Sequence, residues 1–206
     1  MPDGSYQAIR RGKQRRQRQT MNSWNIDSGW LTEARRVDSP NANERPAHTT
    51  VDLLVIHNIS LPPGEFGGDH IEALFTNTLD PAAHPYFAEI AHLTVSAHFL
   101  VRRDGEVVQF VSTDERAWHA GESVWCDRSN CNDFSVGIEV EGVDDLPYAD
   151  RQYIALGRLI SALWGYYPSL ARDAMVGHSE IAPGRKTDPG TAFDWQILRH
   201  YLSEAM

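Results

Sequence analysis

Val51-Asp52-Leu53-Leu54-Val55-Ile56 is a nearly continuous apolar run of strand length with polar residues on both sides. Such a run, apolar without alternation, reads as a strand buried on both faces, the kind found in sheets that carry helices on both sides. His57 follows at its C-terminal end, where α/β domains open a crevice for chemistry. Asn58 comes next, a polar residue where the apolar pattern would be cheaper to continue.

The flanking sequence supplies the rest of the sheet and its helices. Ser28 is placed to cap a short helix over residues 29–36, and residues 38–50 read as a loop. After the loop at residues 61–68, Asp69 is placed to cap a helix carrying Ile71, Leu74, Phe75 and Thr78 at helical spacing. Residues 80–92 show no regular pattern. Residues 93–111 read as a hairpin that turns at Arg103-Asp104-Gly105. Trp118-His119-Ala120-Gly121 opens another loop.

Residues 134–141 alternate, with Val136, Ile138 and Val140 on one side and Ser135, Gly137, Glu139 and Glu141 on the other. Asp150 is placed to cap an amphipathic helix that Pro168 ends, and Asp194 to cap a last helix bearing Trp195, Leu198, Tyr201 and Leu202. This order predicts an α/β (α+β) fold: a single domain with a central mixed β-sheet flanked by helices on more than one side.

At 206 residues, with 41% apolar and 23% charged residues, the chain has the size and composition of one globular domain. No run approaches the roughly 20 apolar residues that a membrane-spanning helix needs, and no apolar segment near the N-terminus reads as an export signal. A cytoplasmic location follows as the expectation, with Cys126 and Cys131 as reduced thiols. The net charge of −9 is uneven. Residues 1–20 hold six basic side chains against Asp3, a surplus of five that leaves −14 on the remainder. The basic stretch has almost nothing apolar to bury, so residues 1–22 read as a disordered extension ahead of a domain at 23–206. An acidic body is a poor polyanion binder. The expectation is a monomer with no nucleic-acid or membrane partner.

Chemistry concentrates in Gly177-His178-Ser179-Glu180-Ile181-Ala182-Pro183-Gly184-Arg185-Lys186-Thr187-Asp188-Pro189-Gly190. Two prolines and three glycines predict irregular backbone throughout. An imidazole and a carboxylate are ordinary zinc ligands, and a nearby lysine can stabilise negative charge on a substrate oxygen. With His57, the loop offers His178 and Asp188 as the roughly three protein ligands that catalytic zinc requires. The alternating strand adds two carboxylates on one face, about 6.8 Å apart. That face meets either solvent or cations, because an unpaired buried charge is costly. Either Glu139 or Glu141 could then serve as the general base. No nucleophile elbow, phosphate loop or dinucleotide fingerprint is present.

These stretches, together with His84-Pro85-Tyr86-Phe87, Val95-Ser96-Ala97-His98-Phe99-Leu100, Arg116-Ala117-Trp118-His119-Ala120-Gly121 and Cys131-Asn132-Asp133-Phe134-Ser135, resemble the zinc-dependent N-acetylmuramoyl-L-alanine amidases. That family shares its fold with peptidoglycan-recognition proteins. The likeness spans residues 29–201 and is nearest to the AmpD-type 1,6-anhydro-N-acetylmuramyl-L-alanine amidases. It implies Zn²⁺ held by His57, His178 and Asp188, Glu139 rather than Glu141 as the base, and Lys186 as the cation facing the oxyanion. It also implies an anhydro-muropeptide substrate contacted by Asn58, Trp118 and His119. The implied reaction cuts the amide between the lactyl group of muramic acid and L-alanine, in cytosolic peptidoglycan recycling. The alternative is a non-catalytic muropeptide-recognition module on the same fold. Gly184 departs from the family pattern, in which glutamate is expected.

Overall fold

The computed structural model describes residues 24–204, so the basic extension expected at residues 1–22 lies outside the described residues. The chain first forms a hairpin of β1 (Ile26–Asp27) and β2 (Trp30–Leu31), then the short strands β3 (Arg35–Arg36) and β4 (Ala42–Glu44). Next come β5 (Leu53–Ile59), α1 (His70–Phe75) and α2 (Pro85–Ile90), followed by β6 (Phe99–Val101), β7 (Val107–Gln109) and β8 (Glu115–Ala117). A second small hairpin pairs β9 (Val124–Trp125) with β10 (Arg128–Ser129). After a 3₁₀ turn at Cys131–Asp133, β11 (Ser135–Glu141), α3 (Asp150–Tyr166), β12 (Met175–Gly177), α4 (His178–Ile181) and α5 (Trp195–Glu204) complete the domain.

The main sheet has the order β12-β5-β11-β6-β7-β3. β12, β5, β11 and β6 run parallel, β7 is antiparallel to β6, and β3 is parallel to β7. This is the expected mixed sheet. Leu53, Leu54, Val55 and Ile56 are all fully buried, as a strand covered on both faces requires. On one face Leu54, Ile56, Val136, Ile138 and Val140 pack with Leu156, Leu159, Ile160 and Leu163 of α3 and Leu198 and Leu202 of α5. The opposite face is covered in two parts. Leu100 and Val108 meet α1 and α2, whereas Leu53 and Val55 meet residues 120–134 and α4.

The elements depart from the sequence reading in identifiable places. Residues 29–36 are not helical. Ser28 and Gly29 have φ of 50° and 78° and form the two-residue turn of the β1–β2 hairpin, a turn that needs positive φ at both positions. Residues 80–92 are not all irregular, because His84 Nδ1 accepts from the Tyr86 amide at the start of α2 and Pro85 occupies its first position. Asp69 makes no side-chain cap, and Thr78 lies beyond the end of α1. The N-cap of α3 is Ala149, whose amide donates to Gln152 Oε1, with Asp150 one place inside the helix. Asp194 caps α5 as expected, accepting from the amides of Gln196 and Ile197. The opening of the 177–190 segment is also regular. Gly177 ends β12 and His178 begins the single turn of α4, leaving only the later residues in turns.

Candidate metal centre and catalytic cavity

Parallel register brings distant residues to one level. Glu139 of β11 pairs with His57 of β5, and Gly177 at the end of β12 pairs with Ile56. His178, next after Gly177, therefore meets His57 across the sheet. Their Nδ1 atoms are 2.9 Å apart. Asp188 Oδ2 lies 3.1 Å from His57 Nδ1 and 3.0 Å from His178 Nδ1. Two nitrogens and one oxygen thus form a nearly equilateral triangle. Its sides compare with roughly 3.3 Å between ligands of a tetrahedral zinc bound at 2.0–2.1 Å.

The donor set fits a divalent cation in charge state as well as spacing. Burial lowers the pKa of His57 to about 4, against the raising effect of Asp188 beside it, so its ring is neutral at pH 7. Burial opposes ionisation of Asp188, but the two imidazoles set against its Oδ2 outweigh that and hold the carboxyl below the usual range. His178 engages the Ala120 carbonyl through Nε2 at 3.0 Å. A carbonyl only accepts, so Nε2 carries a proton, and Nδ1 is the nitrogen turned to the triangle. Both rings are buried, and both present Nδ1.

Above the triangle opens a cavity of about 420 Å³ whose lining includes His57, His178, Asp188, Glu139 and Lys186. Glu139 Oε2 is buried with no hydrogen-bond partner among the described residues. Burial, with a contribution from Asp188 and against the opposing charge of Lys186, raises the Glu139 pKa well above its ordinary value. Glu141, on the same face of β11, has another task. Its oxygens accept from the amides of Gly67 at 2.6 Å and Arg103 at 2.9 Å, tying two loops to the strand. The alternation in β11 thus leads neither to solvent nor to cations alone. Ser135, Glu139 and Glu141 are all buried, and Gly137 leaves room for the ring of His119.

The three expected substrate contacts all reach the cavity. Asn58 lies on its wall with its amide donated to Asp144 Oδ1 at 2.7 Å. Trp118 Nε1 is held by Asn43 Oδ1 at 2.7 Å, leaving the indole ring as lining. His119 has both ring nitrogens engaged, Nδ1 with His57 Nε2 at 2.9 Å and Nε2 with Ser135 Oγ at 3.2 Å. It offers the cavity ring carbon only.

Comparison with known proteins identifies the family. The profile of the N-acetylmuramoyl-L-alanine amidase family matches residues 47–191, which contain every residue of the triangle, the base candidate and the lysine. The 1,6-anhydro-N-acetylmuramyl-L-alanine amidase AmpD of Escherichia coli (strain K12) is 60% identical over 179 residues, 87% of this chain and 97% of the relative. The chain belongs to this family, among its AmpD-type amidases. A crystal structure of a selenomethionine AmpD derivative matches this amidase with a TM-score of 0.84 at 60% identity, covering 86% of this chain and 98% of that one. The Escherichia coli amidase AmiD, solved with its substrate anhydro-N-acetylmuramic acid-L-Ala-D-γ-Glu-L-Lys, matches at a TM-score of 0.54 and 26% identity, covering 87% of this chain and 65% of that one.

Two features of the amidase's cavity escaped the sequence reading. Asp144 adds a third carboxylate to the wall; its position three residues beyond the end of β11, at the C-terminal edge of parallel strands, was the available signal. An apolar flank is formed by Leu61 of the loop after β5, Leu74 and Phe75 of α1, and Tyr86 and Ile90 of α2, and α2 had no legible pattern.

Proposed function

We propose that this amidase hydrolyses the amide between the lactyl group of (1,6-anhydro-)N-acetylmuramic acid and L-alanine of the stem peptide, using zinc held by His57, His178 and Asp188. The observation that carries the proposal is the triangle of two Nδ1 atoms and one carboxylate oxygen, with sides of 2.9–3.1 Å, on the floor of the cavity. Zinc bound there would supply Lewis acidity to a substrate carbonyl and lower the pKa of a water ligand towards neutrality.

The chain's own residues account for the proton and charge transfers. Glu139 lines the cavity, with its buried Oε2 unpartnered among the described residues, and takes the proton of the attacking water, then delivers it to the departing amine of L-alanine. Its raised pKa suits the first half of that task, since a base of higher pKa accepts the proton more readily, and the carboxylic acid so formed returns it to the more basic amine. Lys186, on the cavity lining, provides the positive charge opposite the oxygen that becomes anionic as the carbonyl turns tetrahedral. Trp118 and Asn58 bind sugar or peptide at the rim. The relatives named for the anhydro sugar and for the amide support this substrate. The same reading places the enzyme in cytoplasmic peptidoglycan recycling; no helix among the described residues is long and apolar enough to cross a membrane.

Incubating the protein with anhydro-muropeptide and following free-peptide release, with and without chelator, tests the reading. Turnover is expected only with metal, and binding without turnover by the zinc-loaded chain would contradict it. His178→Ala is expected to lose zinc, so stoichiometric zinc in that variant would refute the ligand assignment.

A further inference from the structure

The two histidines of the triangle are held from behind by neighbouring residues, one through a side chain and the other through the backbone. His178 Nε2 donates to the carbonyl of Ala120; His57 Nε2 meets the ring of His119. Resting on the zinc reading above, we propose that His119 is a positioning residue for the metal centre: through Ser135 and the Cys131 carbonyl, it fixes His57 in the tautomer that turns an unprotonated Nδ1 to the ion.

The direction of this relay follows from its far end. The Cys131 carbonyl can only accept, so Ser135 Oγ donates to it at 2.5 Å. The hydroxyl has one proton, already committed, and therefore accepts from His119 Nε2. With its proton on Nε2, His119 has a lone pair at Nδ1. The alternative, a doubly protonated ring, would put a cation among the rings of His57 and His98, at 5.0 and 5.7 Å, with Arg45 contacting His98 at 3.2 Å. Among the described residues no carboxylate contacts His119 to balance such a charge, and an unpaired buried charge is costly. His57 Nε2–H accordingly donates to His119 Nδ1, which leaves His57 Nδ1 bare and facing His178 and Asp188.

The surrounding chain is shaped to hold this ring. Asn132 Oδ1 accepts from the backbone amides of both His119 and Ala120, at 3.1 and 2.7 Å, pinning the segment that serves both ligands. Gly137 makes the space, since a Cβ there would lie 2.3 Å from His119 Cγ. Metal-bound histidines ordinarily donate their outer N–H to a carboxylate, a carbonyl or water. Here His178 follows that pattern, whereas His57 uses a second imidazole whose tautomer is itself set by a serine.

Zinc affinity, read by competition with a chromophoric chelator, tests the relay. His119→Leu removes the acceptor and is expected to weaken zinc binding roughly 10–100-fold, the usual effect of losing such a partner. His119→Gln, whose amide can accept from His57 and donate to Ser135, is expected to recover most of the affinity. Ser135→Ala, which deletes one hydroxyl and touches neither ligand, keeps the test available should the leucine variant fail to fold; several-fold weaker binding is expected. In zinc-loaded wild-type protein labelled with ¹⁵N-histidine, NMR should find a proton on His119 Nε2 and none on Nδ1. A proton on His119 Nδ1, or wild-type zinc affinity in folded His119→Leu or in Ser135→Ala, overturns the relay and leaves the ligand assignment standing. Failure of the wild-type chain itself to bind zinc sinks both.

Discussion

Two glutamates two residues apart on β11 illustrate how environment assigns roles to identical side chains. Glu141 spends both oxygens on backbone amides, whereas Glu139 keeps an oxygen without a partner at the cavity. Glu139→Gln preserves shape while removing the base, so turnover should fall roughly 10²–10⁴-fold with zinc retained, as peptide release and metal analysis would show. Loss of zinc together with activity would instead make Glu139 part of the binding site. His98 carries a second prediction. Burial, reinforced by Arg45, lowers its pKa to about 3, below an unfolded value near 6.5. Between those values the unfolded chain binds more protons, so this contribution to stability is present above pH 6.5 and is lost as pH falls towards 3. Urea unfolding at pH 7 and pH 5 should show His98→Gln losing less stability on acidification than the wild type, and an equal loss would contradict this.

At the scale of elements, legibility followed the strength of local pattern. β5 and β11 were readable because one is uniformly apolar and the other alternates, and both form central strands of the sheet. The β6–β7 hairpin was readable from Asp104-Gly105. The β1–β2 hairpin was not, since Ser28-Gly29 serves equally as a helix cap and as a tight turn, and only pairing of Ile26 with Leu31 decides. α2 is six residues long and rests on a histidine cap, a signal too weak to stand out. For the site, the three candidate ligands and the carboxylate face could be nominated from sequence. The choice of Glu139 over Glu141 needed either the family likeness or the loops that occupy Glu141. Gly137 tests the packing of β11 against the 118–120 segment. Gly137→Ala should cost about 1–3 kcal/mol, as overpacked sites do, because its Cβ collides with the His119 ring. Unchanged stability in urea would mean that the ring yields freely.

Across the whole molecule the sheet separates scaffold from chemistry. One face is sealed by α3 and α5 into a core that includes no member of the triangle; the other carries the site under loops and short helices. Removing the metal should therefore leave far-UV circular dichroism unchanged while lowering the thermal midpoint. Zinc at a hundredfold over its dissociation constant would restore about 2.7 kcal/mol. Collapse of the secondary structure on chelation would show instead that the fold depends on the ion.

Peptide release from anhydro-muropeptide by metal-stripped protein measures whether His57, His178 and Asp188 hold the one zinc that amide hydrolysis needs. Negligible release is expected, returning on the addition of one equivalent of zinc. Undiminished release by the stripped protein would contradict this.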